Sequence, residues 1–138
     1  MKNEFAIYIG RFQPFHLGHV HVINEALQDS QSLVIFIGSA NKSRTAKNPF
    51  TYKERADVIS AWVEENNLVD RVFILPVMDE QTDEQWIKFL TTTIRTFTRG
   101  STSTVMVGHD KDDSSWYLKA FPKYDVKLVH NYENLNAT

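Results

Sequence analysis

The 138-residue chain contains no cysteine and only five glycines and four prolines. The missing thiols exclude disulfides and thiolate metal centres, so a metal would have to arrive on oxygen ligands, and they fit a reducing compartment. No linker, repeat or low-complexity tract is present, and the length corresponds to one domain that buries about two thirds of its unfolded surface without staples. Nor is there an excess of charge. Fifteen basic residues stand against 17 acidic ones, for a formal net charge of −2, and no global field would gather a polyanion such as duplex DNA. Long hydrophobic runs are also missing. Nothing approaches the roughly 18 apolar residues of a membrane span, and the N-terminus offers one lysine followed by a strand-like run containing Glu4 rather than a leader. These absences predict a soluble cytoplasmic chain with neither nucleic-acid nor membrane partners.

What is present is a recurrence of short apolar runs separated by helix-like periodicity, the pattern of parallel strands joined by crossover helices. Strands are predicted at Phe5–Ile9, Leu33–Gly38, Arg71–Leu75, Thr104–Val107 and Val126–Val129. They are β-branched or aromatic, and most are too apolar to be half solvated, which implies a sheet covered on both faces. Helices are predicted from Gly18 to about Gln28, over Thr51–Glu65, from Thr82 or Asp83 to Arg95, and over a short Ser114–Ala120 segment that stops at Pro122. Thr51 with Glu54 three residues later forms a capping-box pattern. Right-handed crossovers then gather four loops at the carboxyl edge of the sheet: Gly10–Phe15, Ser39–Phe50, Pro76–Asp83 and Gly108–Ser115.

One stretch is more specific than the rest. Behind the first strand runs Gly10-Arg11-Phe12-Gln13-Pro14-Phe15-His16-Leu17-Gly18-His19, which reads as a strand, a short loop and a helix start. Such a turn is expected to present unbonded main-chain N–H groups, the positive helix end and two imidazoles to an anion. His16 and His19, three residues apart, would face one ligand with only Gly18 between them. They could act as hydrogen-bond donors or, if protonated, as charges beside a phosphate. The competing reading is that the pair merely caps the helix. A zinc reading of His16, His19 and His21 fares worse, because no His-Glu-x-x-His frame or cysteine partner accompanies them.

The same ten residues resemble the His-x-Gly-His nucleotidyltransferase superfamily, and specifically its archaeal-type nicotinamide mononucleotide adenylyltransferases. The similarity continues through Gly38-Ser39-Ala40, Lys47-Asn48-Pro49-Phe50-Thr51, Glu54-Arg55, Trp86 and Val107-Gly108-His109. It implies a Rossmann-like nucleotidyltransferase α/β fold, with a five-stranded parallel sheet and helices on both faces. It also implies transfer of the AMP moiety of ATP to nicotinamide mononucleotide, giving NAD and pyrophosphate, by direct attack on the α-phosphorus.

On that resemblance, His16, His19, Arg11 and Lys47 are the expected catalytic residues. ATP binding is expected of Gly10, Arg11, Phe12, Gln13, His16, Gly18, His19, Gly108, His109, Lys111 and Thr138, and mononucleotide binding of Ser39, Phe50, Asp79 and Trp86. From spacing alone Trp86 reads as a core residue rather than a ligand contact, and Asp79 equally as a helix cap. Magnesium is expected on the ATP phosphates rather than on protein ligands, Asp110, Asp112 and Asp113 notwithstanding. A homo-oligomer is the assembly found among such relatives. Leu135-Asn136-Ala137-Thr138 fits only the first half of a C-terminal phosphate-binding motif, whose arginine is absent here, so the native chain is expected to continue beyond Thr138. Other acceptors (nicotinate mononucleotide or phosphopantetheine) and a non-catalytic nucleotide sensor stay open as alternatives.

Overall fold

A computed structural model describes residues 2–109, 118 and 120–130. The elements run β1 (Asn3–Gly10), α1 (Leu17–Asp29), β2 (Ser30–Ile37), α2 (Tyr52–Glu65), β3 (Val72–Pro76), α3 (Asp83–Thr98), β4 (Thr104–His109) and β5 (Asp125–Val129). All four strand pairings are parallel, in the order β3-β2-β1-β4-β5. The five predicted strands are therefore found, with ends displaced by at most three residues. The helix expected over Ser114–Ala120 lies almost wholly outside the described residues.

Alternation along each central strand divides the core into two layers. Ala6 and Tyr8 of β1, Leu33, Ile35 and Ile37 of β2, and Val105 and Val107 of β4 join Ile23 and Leu27 of α1 and Ile59 and Val63 of α2. Ile7, Ile9, Val34, Phe36 and Met106 point the other way, against Leu90 and Ile94 of α3. Helices therefore cover both faces, as the near-continuous apolar strands predict.

The helix ends follow local chemistry. Thr51 caps α2 by accepting from the Glu54 N–H at 3.1 Å while Glu54 Oε1 accepts from the Thr51 N–H at 2.9 Å. Thr82 caps α3, which corrects the cap reading of Asp79. The helix then runs three residues past the expected Arg95 and ends where Arg99 and Gly100 take left-handed φ values of 55° and 72°.

The strand order decides where a ligand fits. The chain steps outward from β1 to β2 to β3, then returns on the opposite face to place β4 on the other side of β1. This reversal makes the carboxyl ends of β1 and β4, at Gly10 and His109, a topological switch point, where open α/β sheets leave a crevice.

Candidate active site

At the end of β1, a Cβ on Gly10 would lie 3.0 Å from the Phe12 ring, so the glycine makes room for that ring. Phe12 itself adopts φ 54°, a left-handed conformation unfavourable for a bulky residue. Aromatic packing compensates. The Phe12 ring is only 2% exposed and meets Tyr8 edge-on at 5.3 Å and His19 at 4.6 Å, while Phe15 stacks on His19 at 5.7 Å. Of the expected ATP contacts, Phe12 can thus offer a ligand its main chain but not its ring.

The two imidazoles cap α1 and do so through one nitrogen each. His16 Nδ1 accepts from the Gly18 N–H at 3.0 Å, and His19 Nδ1 accepts from the His16 N–H at 3.0 Å. The His19 N–H in turn donates to the His16 carbonyl at 3.0 Å. This corrects the expectation of a bare helix end, because three of the first four N–H groups, those of His16, Gly18 and His19, are already bonded. Two histidines three residues apart reproduce the reciprocal capping usually made by Ser/Thr and Glu/Gln.

The capping reading and the ligand reading are consequently compatible. An Nδ1 that accepts must be unprotonated, so in a neutral ring the proton resides on Nε2, as a donor. His19 is kept neutral: burial first, then the neighbouring His16 and His109, lower its pKa from 6.5 to about 3. The first turn of α1 also contains no acidic residue to cancel the positive helix end. What results is a pair of neutral N–H donors at an electropositive terminus.

Behind this pair stands a residue to which the sequence reading assigned no role. Arg55, 2% exposed, shares the buried stripe of α2 with Ile59 and Val63, where an aliphatic residue would be ordinary. Its guanidinium donates to the carbonyls of Arg11 (2.9 Å), Gly38 (2.7 Å), Ser39 (3.1 Å) and Thr51 (3.2 Å). Among the described residues no carboxylate lies within ion-pair distance of it. Burial and then the like charge of Arg11 depress its pKa, with Asp79 opposing. Burying an unpaired ion costs several kcal/mol unless its donors are met, and here four carbonyls meet them. The signal was available as a cation at i in a buried i, i+4, i+8 series.

The remaining predicted residues divide. Gln13 clasps the β2–α2 loop, accepting from the Phe50 N–H at 3.0 Å and donating to the Phe50 carbonyl and Asn48 Oδ1, each at 3.4 Å. Lys47 and Lys42 are exposed on that loop, while Arg44 pairs with Glu54 at 3.0 Å. Ser39 and Asp79, from different loops, are brought together: the Ser39 hydroxyl donates to Asp79 Oδ1 at 2.8 Å, and the Asp79 N–H donates to Asn41 Oδ1 at 2.9 Å. Trp86, in the first turn of α3, packs partly on the α3-side core with its ring 6.3 Å from Phe121. Phe50 instead lines an apolar cavity of about 350 Å³ with Phe12, Pro14, Phe15, Glu54, Arg55 and Val58, none of them another predicted mononucleotide contact.

On β4, a Cβ at Gly108 would meet Leu118 Cδ1 at 2.8 Å. The glycine therefore makes room for a core leucine, which leaves its main chain as what it could offer a ligand. His109 lies near enough to His19 to contribute to its lowered pKa, which joins the two ends of the switch point. Lys111, Thr138, Asp110, Asp112 and Asp113 lie outside the described residues. Among the described residues no group of three or more His, Asp or Glu side chains could hold a metal, and no helix is long and apolar enough to cross a membrane.

Comparison with known proteins agrees with this geometry. The cytidylyltransferase-like family profile matches residues 7–134. The nicotinamide/nicotinic acid mononucleotide adenylyltransferase of Acinetobacter baylyi is 35% identical over 138 residues, 99% of this chain and 73% of that protein. The nicotinamide-nucleotide adenylyltransferase of Thermoplasma volcanium is 40% identical over 86 residues, 62% of this chain and 48% of that one. Among solved structures, a bifunctional NMN adenylyltransferase/ADP ribose pyrophosphatase from Francisella tularensis superposes with a TM-score of 0.88 at 37% identity, over 97% of this chain and 40% of that one. A second structure of it, complexed with AMP and Mn ion, gives 0.86 at 34%. The chain thus spans about half the length of the Thermoplasma relative and less of the bifunctional protein. The profile match over residues 7–134 and the Acinetobacter relative, on a sheet that superposes on the Francisella structures, make this chain a member of the cytidylyltransferase-like family, in its nicotinamide-nucleotide adenylyltransferase group.

Proposed function

We propose that residues 1–138 act as an adenylyltransferase unit that joins the AMP moiety of ATP to nicotinamide mononucleotide, releasing pyrophosphate. The observation that carries the reading is the His16–His19 box, which spends both Nδ1 atoms on the helix and so fixes both Nε2–H groups as donors at the switch point. In the reaction a phosphate oxygen of the mononucleotide bonds to the α-phosphorus as the bond from that phosphorus to the bridging oxygen breaks. No protein nucleophile is needed; the demand is alignment of two anions and stabilisation of charge that grows on phosphate oxygens. Preorganised neutral donors serve this without a proton transfer. Arg11 and Lys47 supply the cations that a polyphosphate requires, and Lys111 and Thr138 are proposed to complete the ATP site.

Ser39 and Asp79, already bonded to each other, are proposed to bind the mononucleotide with Trp86, whose indole face suits a cationic pyridinium. Phe50 is proposed to act from the apolar cavity. Magnesium suits the site as an ion held by the ATP phosphates and water, neutralising their charge, since it needs few protein ligands. A cytoplasmic setting and a homo-oligomeric assembly belong to the same reading. The experiment is product analysis: purified chain with ATP, magnesium and nicotinamide mononucleotide should yield NAD and pyrophosphate in equal amounts. The name of the Acinetobacter relative includes the nicotinic acid form, so nicotinate mononucleotide and phosphopantetheine are tested in parallel. Preference for phosphopantetheine, or binding of ATP without turnover, would overturn the reading.

A further inference from the structure

We infer that Arg55 is a positioning residue for the triphosphate site, acting through Arg11: its buried guanidinium ties together the three main-chain segments that border the site and places a second positive charge behind Arg11. The inference rests on the adenylyl-transfer reading above. Two observations carry it. The first is the bonding pattern, in which one planar group bridges the β1–α1 loop at Arg11, the end of β2 at Gly38 and Ser39, and the N-cap of α2 at Thr51. An ammonium cannot span those carbonyls with the same fork. The second is the choice of charge. A residue needed only to bridge carbonyls has no reason to stand near another cation, yet the Arg11 charge acts on Arg55, and Asp79, which opposes it, already accepts from Ser39. Two cations at close quarters repel until an anion joins them, so their mutual repulsion becomes affinity for a polyanion.

The geometry also assigns a direction to the effect. Arg55 donates to the carbonyl of Arg11 and feels its positive charge, whereas among the proposed acceptor contacts it bonds only the Ser39 carbonyl and makes no bond to Trp86 of α3. Its loss should therefore weaken ATP more than the acceptor, which feels it through Ser39. The test compares Arg55→Lys and Arg55→Met with wild type by ATP titration calorimetry, by KM and kcat for each substrate, and by melting temperature. Arg55→Met is expected to raise the ATP Kd and KM at least tenfold with a clearly smaller rise in the acceptor KM, and to flatten the salt dependence of ATP binding. Arg55→Lys, which keeps charge but loses the fork, should fall between. A purely structural residue would lower the melting temperature and the active fraction while the active molecules keep the wild-type ATP KM. That outcome, or a wild-type ATP Kd in either folded variant, overturns the inference. If Arg55→Met does not fold, Arg55→Lys decides on the same criterion. Should wild type bind no ATP, the functional reading fails instead, so the two failures are distinguishable.

Discussion

Two arginines at opposite edges of the sheet use the same hydrogen-bond chemistry to different ends. At the amino edge Arg71 donates to the carbonyls of Leu27 (2.8 Å), Ser30 (2.8 Å) and Gln31 (3.0 Å), gathering the end of α1 and the start of β2. At the carboxyl edge Arg55 donates to four carbonyls, one on the β1–α1 loop, two just after β2 and one at the N-cap of α2. Arg71 sits where a helix ends and its carbonyls carry partial negative charge, so a cation there is compensated by the fold itself. Lys127 reinforces that end of α1, donating to the Glu25 carbonyl at 2.9 Å and to Asp29 at 2.6 Å. Arg55 has its carbonyls too, but it sits beside Arg11, a charge of its own sign that Asp79 opposes. The comparison teaches that satisfied donors do not distinguish a strut from a site; the sign of the surroundings does.

The comparison is broken most forcefully at the carboxyl edge. His19→Ala removes a donor aimed where charge develops, and turnover should fall by about 10²–10³, with a stability loss of about 1 kcal/mol from the cap and a further loss from its packing on Phe12 and Phe15. Unchanged kcat would remove the box from the mechanism. At the other edge, Arg71→Ala should cost about 2 kcal/mol in denaturant unfolding through lost charged hydrogen bonds, while the ATP Kd stays at the wild-type value. A weakened Kd there would mean that the two edges are not separable.

Acid sharpens the contrast further. The pKa of His19 is lowered in the folded state, so its contribution to stability is complete above the unfolded value of about 6.5. That contribution is lost as pH falls from there towards the folded value of about 3. Within that window the loss approaches about 1.4 kcal/mol per pH unit from this group, and the slope should shrink by that amount in His19→Asn. An undiminished slope would place the proton elsewhere. The smallest effect belongs to neither edge: Lys53→Ala breaks an exposed i, i+4 pair with Asp57, and the denaturant midpoint should not move measurably.

Much of this architecture is legible before any coordinates. The apolar runs at Ala6–Ile9 and Leu33–Ile37 can only be strands covered on both faces, and Thr51 with Glu54 announces α2. The switch point follows from right-handed crossovers once the strands are known. What is not legible is how each residue spends its atoms. Nothing in the spacing of His16 and His19 says that they cap the helix with Nδ1 and thereby consume the main-chain N–H groups expected to bind the anion. Nothing in the sequence around Gly108 says that Leu118, ten residues on, fills the space where its side chain would stand. Phe12 reads as a loop residue, yet the absence of a side chain at Gly10 lets its ring enter the core. These outcomes depend on side chains from distant elements converging, which periodicity does not encode. Arg55 was the readable exception, a charge on an otherwise aliphatic stripe.

The most direct test of the central claim is long-range ¹⁵N–¹H NMR of the histidine rings at neutral pH, before and after addition of ATP. The account predicts that His16 and His19 are both neutral with the proton on Nε2, and that ATP shifts the Nε2 signals while each Nδ1 keeps its acceptor character. A His19 ring protonated on Nδ1, or Nε2 signals indifferent to ATP, would contradict it.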